Sequence, residues 1–293
     1  LKLFASPKSA GKKIYVCGRH IEVRALNENS FNGSDIVFFF AGKEVSATYA
    51  PAAEAAGAVV IDNSSAFRRY ADIPLVIPEI NADCINLDKR RIIANPNCST
   101  IQAILPLKYV ARTQGIARLI FSTYQATSGS GKKGVCDLLL SRQGFSPAYY
   151  PLSVAKTCLC KIGETMSDGY TDEEEKMRFE TNKILGISAK ISATCIRVQI
   201  ENCHAVTVEA ELKKEIGLDD VSREIALVEG VKLCEYPSSV AADGNTDVLV
   251  GRLRKSTAFS NGICFTTFAD NTLKGAALNA IQIAETLIER NKI

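Results

Sequence analysis

Cys98 stands in the run Asn95-Pro96-Asn97-Cys98-Ser99-Thr100, between an apolar stretch at 91–94 and an apolar-periodic stretch from Ser99 onward. The first reads as a short buried strand, Asn95-Pro96-Asn97 as a turn and the remainder as the opening of a helix. The thiol is therefore expected near unpaired N–H groups and the positive end of that helix. A thiol held there favours its thiolate, the form that attacks an electrophilic carbon. Most of the ten cysteines lack such a setting, and a buried cysteine ordinarily only fills space. Acid–base partners are scarce, because the chain has two histidines. His20 falls in the expected turn Cys17-Gly18-Arg19-His20, exposed and inert, and His204 follows an apolar run containing Arg197. By residue type alone His204 reads equally as a proton-transfer group or as a hydrogen-bonded edge-strand histidine. Gln125 can donate and accept at once, which suits it to orient a substrate rather than to move protons. Arg197, inside Ala193-Thr194-Cys195-Ile196-Arg197-Val198, is costly to bury unless it meets an anion.

The elements that must position these groups follow from hydrophobic pattern. Residues 1–6 read as a strand, 14–16 and 21–23 as a small hairpin, and 35–40 as a continuous apolar strand of the kind buried on both faces in a parallel sheet. A short alanine-rich helix is expected at 50–56, with Pro51 in its first turn, followed by strands at 58–61 and 75–77. Strands alternating with helices predict a doubly wound half. After Cys98 the pattern changes to longer strands at 119–124, 189–199, 205–212, 247–253 and 262–268. Helices are expected near 132–142, 173–184 and 218–229, with Thr171 and Glu174 at capping-box spacing, and a last amphipathic helix at 273–289. The fold class is thus α/β: a Rossmann-type dinucleotide-binding domain, incomplete in this sequence, plus an α+β catalytic domain with a mainly antiparallel sheet.

Composition excludes several function classes. The 293 residues are 46% hydrophobic and carry 35 basic against 32 acidic side chains, a net charge of +3. No basic face points to nucleic acid or an anionic membrane, and no apolar run approaches the roughly 20 residues that span a bilayer. The start lacks a signal-peptide layout, and cysteines without regular pairing fit a reducing cytoplasm. Neither the histidines nor Cys158-x-Cys160 has the spacing of a metal site, so no metal is expected.

Four strings in register along the chain carry a resemblance: Asn95-Pro96-Asn97-Cys98-Ser99-Thr100; Ser122-Thr123-Tyr124-Gln125-Ala126 with Ser128-Gly129; Asp62-Asn63-Ser64-Ser65-Ala66-Phe67-Arg68; and Lys274-Gly275-Ala276-Ala277. The sequence resembles the aspartate-β-semialdehyde dehydrogenases. The resemblance implies NADP-dependent reductive dephosphorylation of L-aspartyl 4-phosphate to the semialdehyde through a cysteine thioester, in lysine, threonine and methionine biosynthesis. It implies Cys98 as nucleophile, His204 as acid/base and Gln125 as the orienting amide. Arg197 would hold the substrate carboxylate, Arg68 and Lys176 the phosphate and Glu173 the α-amino group, with Asn97 beside them. NADP would meet Ser6, Lys8, Ser9, Ala41, Gly42, Asn63, Ser128, Gly129 and Asn271, with basic Lys8 favouring the 2′-phosphate.

By the same resemblance the domains are 1–97 with 271–293 for NADP and 98–270 for catalysis and dimerisation, and the protein is a cytoplasmic homodimer. Residues 1–6 would be the second strand of the nucleotide-binding unit, whose first strand, glycine-rich turn and helix, roughly 30 residues, are not in this sequence. The pattern departs at Phe40 and Lys43, which could crowd the dinucleotide, at Cys203 and Ala205 around the histidine, at 155–162 and at Gln199. Two rival readings follow: a non-catalytic relative acting as a dimeric assembly or regulatory protein, and an N-acetyl-glutamyl-phosphate reductase, whose cysteine context differs.

Overall fold

The computed structural model describes residues 1–293, which divide into two compact units. The first comprises Leu1–Pro74, Asn86–Ala94 and Lys292–Ile293, and the second Leu75–Ile85 and Asn95–Asn291.

In the first unit, β1 (Leu3–Ala5), β2 (Lys13–Val16) and β3 (Arg19–Ala25) form a three-stranded sheet of order β1-β3-β2. β2 and β3 are the expected hairpin, turned by Cys17 and Gly18 at φ 47° and 81°. Two successive positive-φ residues match the twist of the flanking strands. His20 therefore lies in β3 rather than in the turn, exposed and paired with Tyr15. β4 (Ile36–Phe39), β5 (Val59–Asp62) and β6 (Ile92–Ala94) make a parallel sheet of that order.

β5, at its centre, is fully buried. β4 is an edge strand and not the doubly buried strand its composition predicts, with Phe38 39% exposed. α1 (Lys43–Ala55) starts well before residue 50, and Pro51 lies in its interior. Its polar first turn, Lys43-Glu44, lies on an exposed surface that leaves no apolar period to read. Residues 75–77 are buried but carry no more than an isolated bridge, because they lead directly into the next helix.

The second unit contains α2 (Pro78–Asn81), α3 (Cys98–Ile104), α4 (Lys108–Thr113), α5 (Gly131–Arg142), α6 (Asp172–Leu185), α7 (Leu218–Ala226), α8 (Ser239–Ala242) and α9 (Leu278–Glu289). Its six-stranded sheet joins β7 (Ile116–Gln125), β8 (Lys190–Arg197), β9 (His204–Leu212), β10 (Val231–Leu233), β11 (Val248–Lys255) and β12 (Gly262–Ala269) in the order β10-β11-β12-β9-β7-β8. The pairs β11/β12, β12/β9 and β9/β7 are antiparallel, whereas the outer pairs β10/β11 and β7/β8 are parallel. Alternation places Leu119, Phe121, Thr123 and Gln125 of β7 on the inner face, against which α3 and α6 pack. The other face leaves Ile120 and Tyr124 exposed.

The last helix does not run unbroken from Leu273: a π-helical turn, Leu273–Ala277, precedes α9. Both fall in the second unit, whereas the sequence grouping joined 271–293 to the nucleotide-binding half. The reason is local. Lys274 is held by Glu79, and Asn279 donates to the Val76 carbonyl and to Asn95.

Candidate active site

Asn97 caps α3 through a side-chain carbonyl that accepts from the amides of Ser99 and Thr100, at 2.9 and 3.2 Å. Two of the N–H groups expected to be unpaired around Cys98 are therefore taken by the cap. Cys98, the first helical residue, is partly buried, and none of the ten cysteines is in a disulfide. Asn97 is itself held twice from α6. Its amide N–H donates to Glu180 Oε2 (2.7 Å) and its Nδ2 to Glu173 Oε1 (2.8 Å). Glu180 escaped the sequence reading, although it lies seven residues after Glu173 on one helical face with buried Met177 between them.

Glu173 also accepts from Gln125 Nε2 at 3.0 Å, and Gln125 donates to Ser99 Oγ at 2.8 Å. With both donors of its amide used, Gln125 presents a buried Oε1 that meets no hydrogen-bond partner. Burial alone would raise Glu173, but the charge of Lys176 and the hydrogen bonds from Gln125 and Asn97 outweigh it and bring its carboxyl down to about 2. Burial works against the Lys176 ammonium, and Glu173 and Asp172 nevertheless hold it above its ordinary value. The helix carrying Glu173 and Lys176 starts with the predicted capping box, Thr171 with Glu174.

Arg197 ends β8 directly opposite Gln125 of β7. It is 5% exposed, donates from Nη1 to the Ala126 carbonyl at 2.5 Å and has no carboxylate paired with it. Leu159, in one of the departing segments, fixes this strand end by exchanging backbone hydrogen bonds with Arg197 at 2.9 Å. His204 opens β9, fully buried. Its Nδ1 accepts from the Ala126 amide at 3.0 Å, and its Nε2 meets no partner. Burial, reinforced by the Arg197 charge, pushes the ring down to about 3, so it is neutral. Cys203, one of the positions that depart from the expected pattern, sits at φ 72°. Burial there pushes its thiol up to about 12.

Two glycines leave room that this arrangement needs. A Cβ on Gly129 would lie 2.9 Å from Arg197 Nη1 and 3.0 Å from His204 Nε2. A Cβ on Gly275, in the π turn, would lie 2.8 Å from Cys98 Cβ. Ser128, Gly129 and Asn271 come together: Asn271 Nδ2 donates to Ser128 Oγ at 3.0 Å, and its Oδ1 accepts the Cys203 amide at 3.1 Å. Cys98, Asn97, Gln125, Glu173, Lys176, Arg197 and His204 thus share the second unit. Arg68 belongs to the first, buried and donating to the carbonyls of Ser64 and Asn63.

The remaining residues read as cofactor contacts also lie in the first unit. Ser6, Lys8 and Ser9 border or form an exposed 3₁₀ turn after β1 that holds a basic and no acidic residue. Ala41 and Gly42 lead into α1, and an added Cβ on Gly42 would meet open space. Asn63 follows β5, its amide donating to the Phe39 carbonyl. This donor set suits an anionic dinucleotide. Phe40 is 53% exposed and stacks on Phe38 at 6.2 Å.

Two family models divide the chain: the NAD binding domain of the semialdehyde dehydrogenases matches residues 1–87, and their dimerisation domain matches residues 107–274. By class, then, the protein is a semialdehyde dehydrogenase. Within that class the chain belongs to the aspartate-semialdehyde dehydrogenase family, as full-length relatives show. The aspartate-semialdehyde dehydrogenase of Aquifex aeolicus is 41% identical, across 100% of this chain and 91% of the relative. That of Bacillus subtilis is 37% identical, across 100% and 90%. Among solved structures, aspartate semialdehyde dehydrogenase II of Vibrio cholerae complexed with ASA matches with a TM-score of 0.95 and 39% identity, covering 98% of this chain and 89% of that one. No helix is long and apolar enough to cross a membrane.

Proposed function

We propose that the chain interconverts L-aspartyl 4-phosphate and L-aspartate 4-semialdehyde through a thioester on Cys98. The observation that carries this reading is the buried Arg197 guanidinium, without a carboxylate partner and one strand away from the amide that faces the nucleophile's helix. A cation so placed is stabilised by an anionic substrate group, here the α-carboxylate. In the biosynthetic direction the Cys98 thiolate attacks the acyl carbon and phosphate leaves, giving the thioester. A bound nicotinamide dinucleotide supplies the hydride that reduces the thioester carbonyl and takes it back in reverse. The adduct then expels the Cys98 thiolate and releases the aldehyde. Gln125 Oε1 is oriented to accept a hydrogen bond from the substrate, because Glu173 and Ser99 take both amide hydrogens.

Lys176 and Arg68 are assigned the phosphate, Glu173 the α-amino group and Asn97 the cap that fixes Cys98. Lys8, on a turn without acidic residues, supports NADP over NAD. Ser6, Ser9, Ala41, Gly42, Asn63, Ser128, Gly129 and Asn271 complete that contact set. The open sheet face bearing Ile120 and Tyr124, within the region matched by the dimerisation model, supports a homodimer. Ten cysteines without regular pair spacing support a reducing compartment such as the cytoplasm.

The test is phosphate-dependent reduction of NADP+ by aspartate semialdehyde. Activity that disappears in Cys98→Ala, together with a KM for the aldehyde raised at least tenfold in Arg197→Lys but unchanged for NADP+, is the expected result. Folded parent protein without activity would favour the non-catalytic relative, and equal losses toward both substrates would remove Arg197 as the carboxylate clamp.

A further inference from the structure

α6 turns two carboxylates inward, at Glu173 and Glu180, on a stripe that otherwise buries Met177, Thr181 and Ile184. Glu173 is accounted for by Lys176, Gln125 and the Asn97 side chain. Glu180 is more deeply buried, at 1% exposed, where an apolar side chain would serve the packing as well. Its Oε2 instead accepts the Asn97 backbone N–H at 2.7 Å. Asn97 is itself buried, and a buried N–H without an acceptor is destabilising, so the carboxylate takes the place that water would take at the surface.

That N–H belongs to the residue from which α3 starts. The Asn97 side chain is engaged at both ends, its Oδ1 by the Ser99 and Thr100 amides and its Nδ2 by Glu173. Its backbone is anchored by Glu180, one peptide bond before Cys98. Two residues earlier, Asn95 accepts from Asn279 at 2.7 Å. Against the nucleophile itself packs Gly275 of the π turn, where an added Cβ would lie 2.8 Å from Cys98 Cβ. Cys98 thus stands between a backbone anchored from α6 and a glycine pressed against its Cβ. Attack on a carbonyl carbon needs the sulfur held about 3–3.5 Å from its target, and a displacement of about 1 Å slows such a step by about 10²-fold.

Resting on the reaction proposed above, we propose that Glu180 is a positioning residue for the nucleophile: its carboxylate oxygen fixes the Asn97 peptide and so sets the approach of Cys98 to the substrate carbon. In the aldehyde-oxidising direction the Cys98 thiolate forms the S–C bond and the carbonyl π pair moves onto oxygen. The C=O bond re-forms as hydride departs to NADP+, leaving the thioester, and the proton lost by the thiol goes to solvent. Glu180 acts on the first of these events, through Asn97. Its loss slows formation of the S–C bond and leaves the affinities for aldehyde and dinucleotide in place, because other residues make those contacts.

Three variants separate this role from a merely structural one. Glu180→Gln keeps an acceptor oxygen at the same reach, Glu180→Leu keeps the volume without an acceptor, and Glu180→Asp draws the carboxylate back by one methylene. Thioester formation is read as the single-turnover burst of reduced dinucleotide from aspartate semialdehyde and NADP+ without phosphate. Bursts about 10–10²-fold slower are expected in the Leu and Asp variants, at unchanged half-saturating aldehyde and NADP+, whereas the Gln variant keeps the parent rate. Alkylation of Cys98 by iodoacetamide, followed by peptide mass spectrometry, needs a thiolate but no alignment. Gln and Leu are both uncharged, so this rate should agree between those two variants while their bursts differ. A Leu or Asp variant with the parent burst, a Gln variant as slow as Leu, or losses matched by weaker binding of both substrates would overturn the positioning role. If Glu180→Leu does not fold, Asp against Gln makes the same comparison. A folded parent without any burst would instead defeat the functional reading. Hydrogen exchange of the Asn97 amide, expected to be faster in Glu180→Asp than in Glu180→Gln, would then decide the anchor by itself.

Discussion

The buried neutral imidazole makes the protein acid-sensitive in a window that can be assigned to one side chain. In the unfolded chain His204 takes up a proton near its ordinary value of 6.5, whereas in the fold, burial and the Arg197 charge defer that uptake to about pH 3. Between these values the unfolded state binds more protons, so stability falls as pH falls, by about 1.4 kcal/mol per pH unit. Above pH 6.5 this penalty is absent. From pH 6.5 to 4.5 it amounts to about 2.7 kcal/mol.

Glu173 behaves in the same direction but lower down, because its carboxyl is brought from 4.5 to about 2, so its contribution is lost only as pH falls below 4.5. The perturbation is His204→Gln, which removes the titrating ring and leaves His20 in both proteins. Urea unfolding followed by circular dichroism at pH 7, 6, 5 and 4.5 should show the parent losing about 2–3 kcal/mol more than the variant across the range. Parallel pH dependences in parent and variant would refute the buried, neutral state of His204.

Gly275→Ala sets a Cβ 2.8 Å from Cys98 Cβ and 3.3 Å from Cys98 Cα, where backbone cannot yield. We expect about 1–3 kcal/mol of destabilisation in a urea melt, with Cys98 alkylated by iodoacetamide at an altered rate. Lys274→Met strands the buried Glu79 carboxylate, which now receives two contacts of 2.7 and 2.8 Å, and should cost about 3–5 kcal/mol. Adding Glu79→Leu should restore most of that loss, and a double variant no better than the single one would contradict the ion-pair account.

Features carried by neighbouring residues were legible in the sequence. The turn before Cys98 and the helix start it leads into lie within a few residues of each other, and the Thr171–Glu174 box is equally local. Arg197 and His204 could be placed on strands because each borders a long apolar run. Pairings across the chain were not legible. Nothing local announces that β7 accepts β8 in parallel and β9 antiparallel, or that the Ala126 amide faces a histidine 78 positions away. β10, three residues long, is too short for a period to emerge. The exposure of β4 depends on its edge position, and the π turn depends on the buried bonds of Lys274.

The row formed by the strand ends also governs how this protein can change. Arg197 pairs with Gln125, and His204 pairs with Ala269 of β12 and immediately precedes Ala205, the partner of Tyr124. Because side chains alternate, one residue inserted into β7, β8 or β9 would turn a functional group to the opposite face while leaving composition nearly untouched. A substitution in these strands, by contrast, leaves the row in register, and changes of length are expected to be tolerated only in the connecting loops.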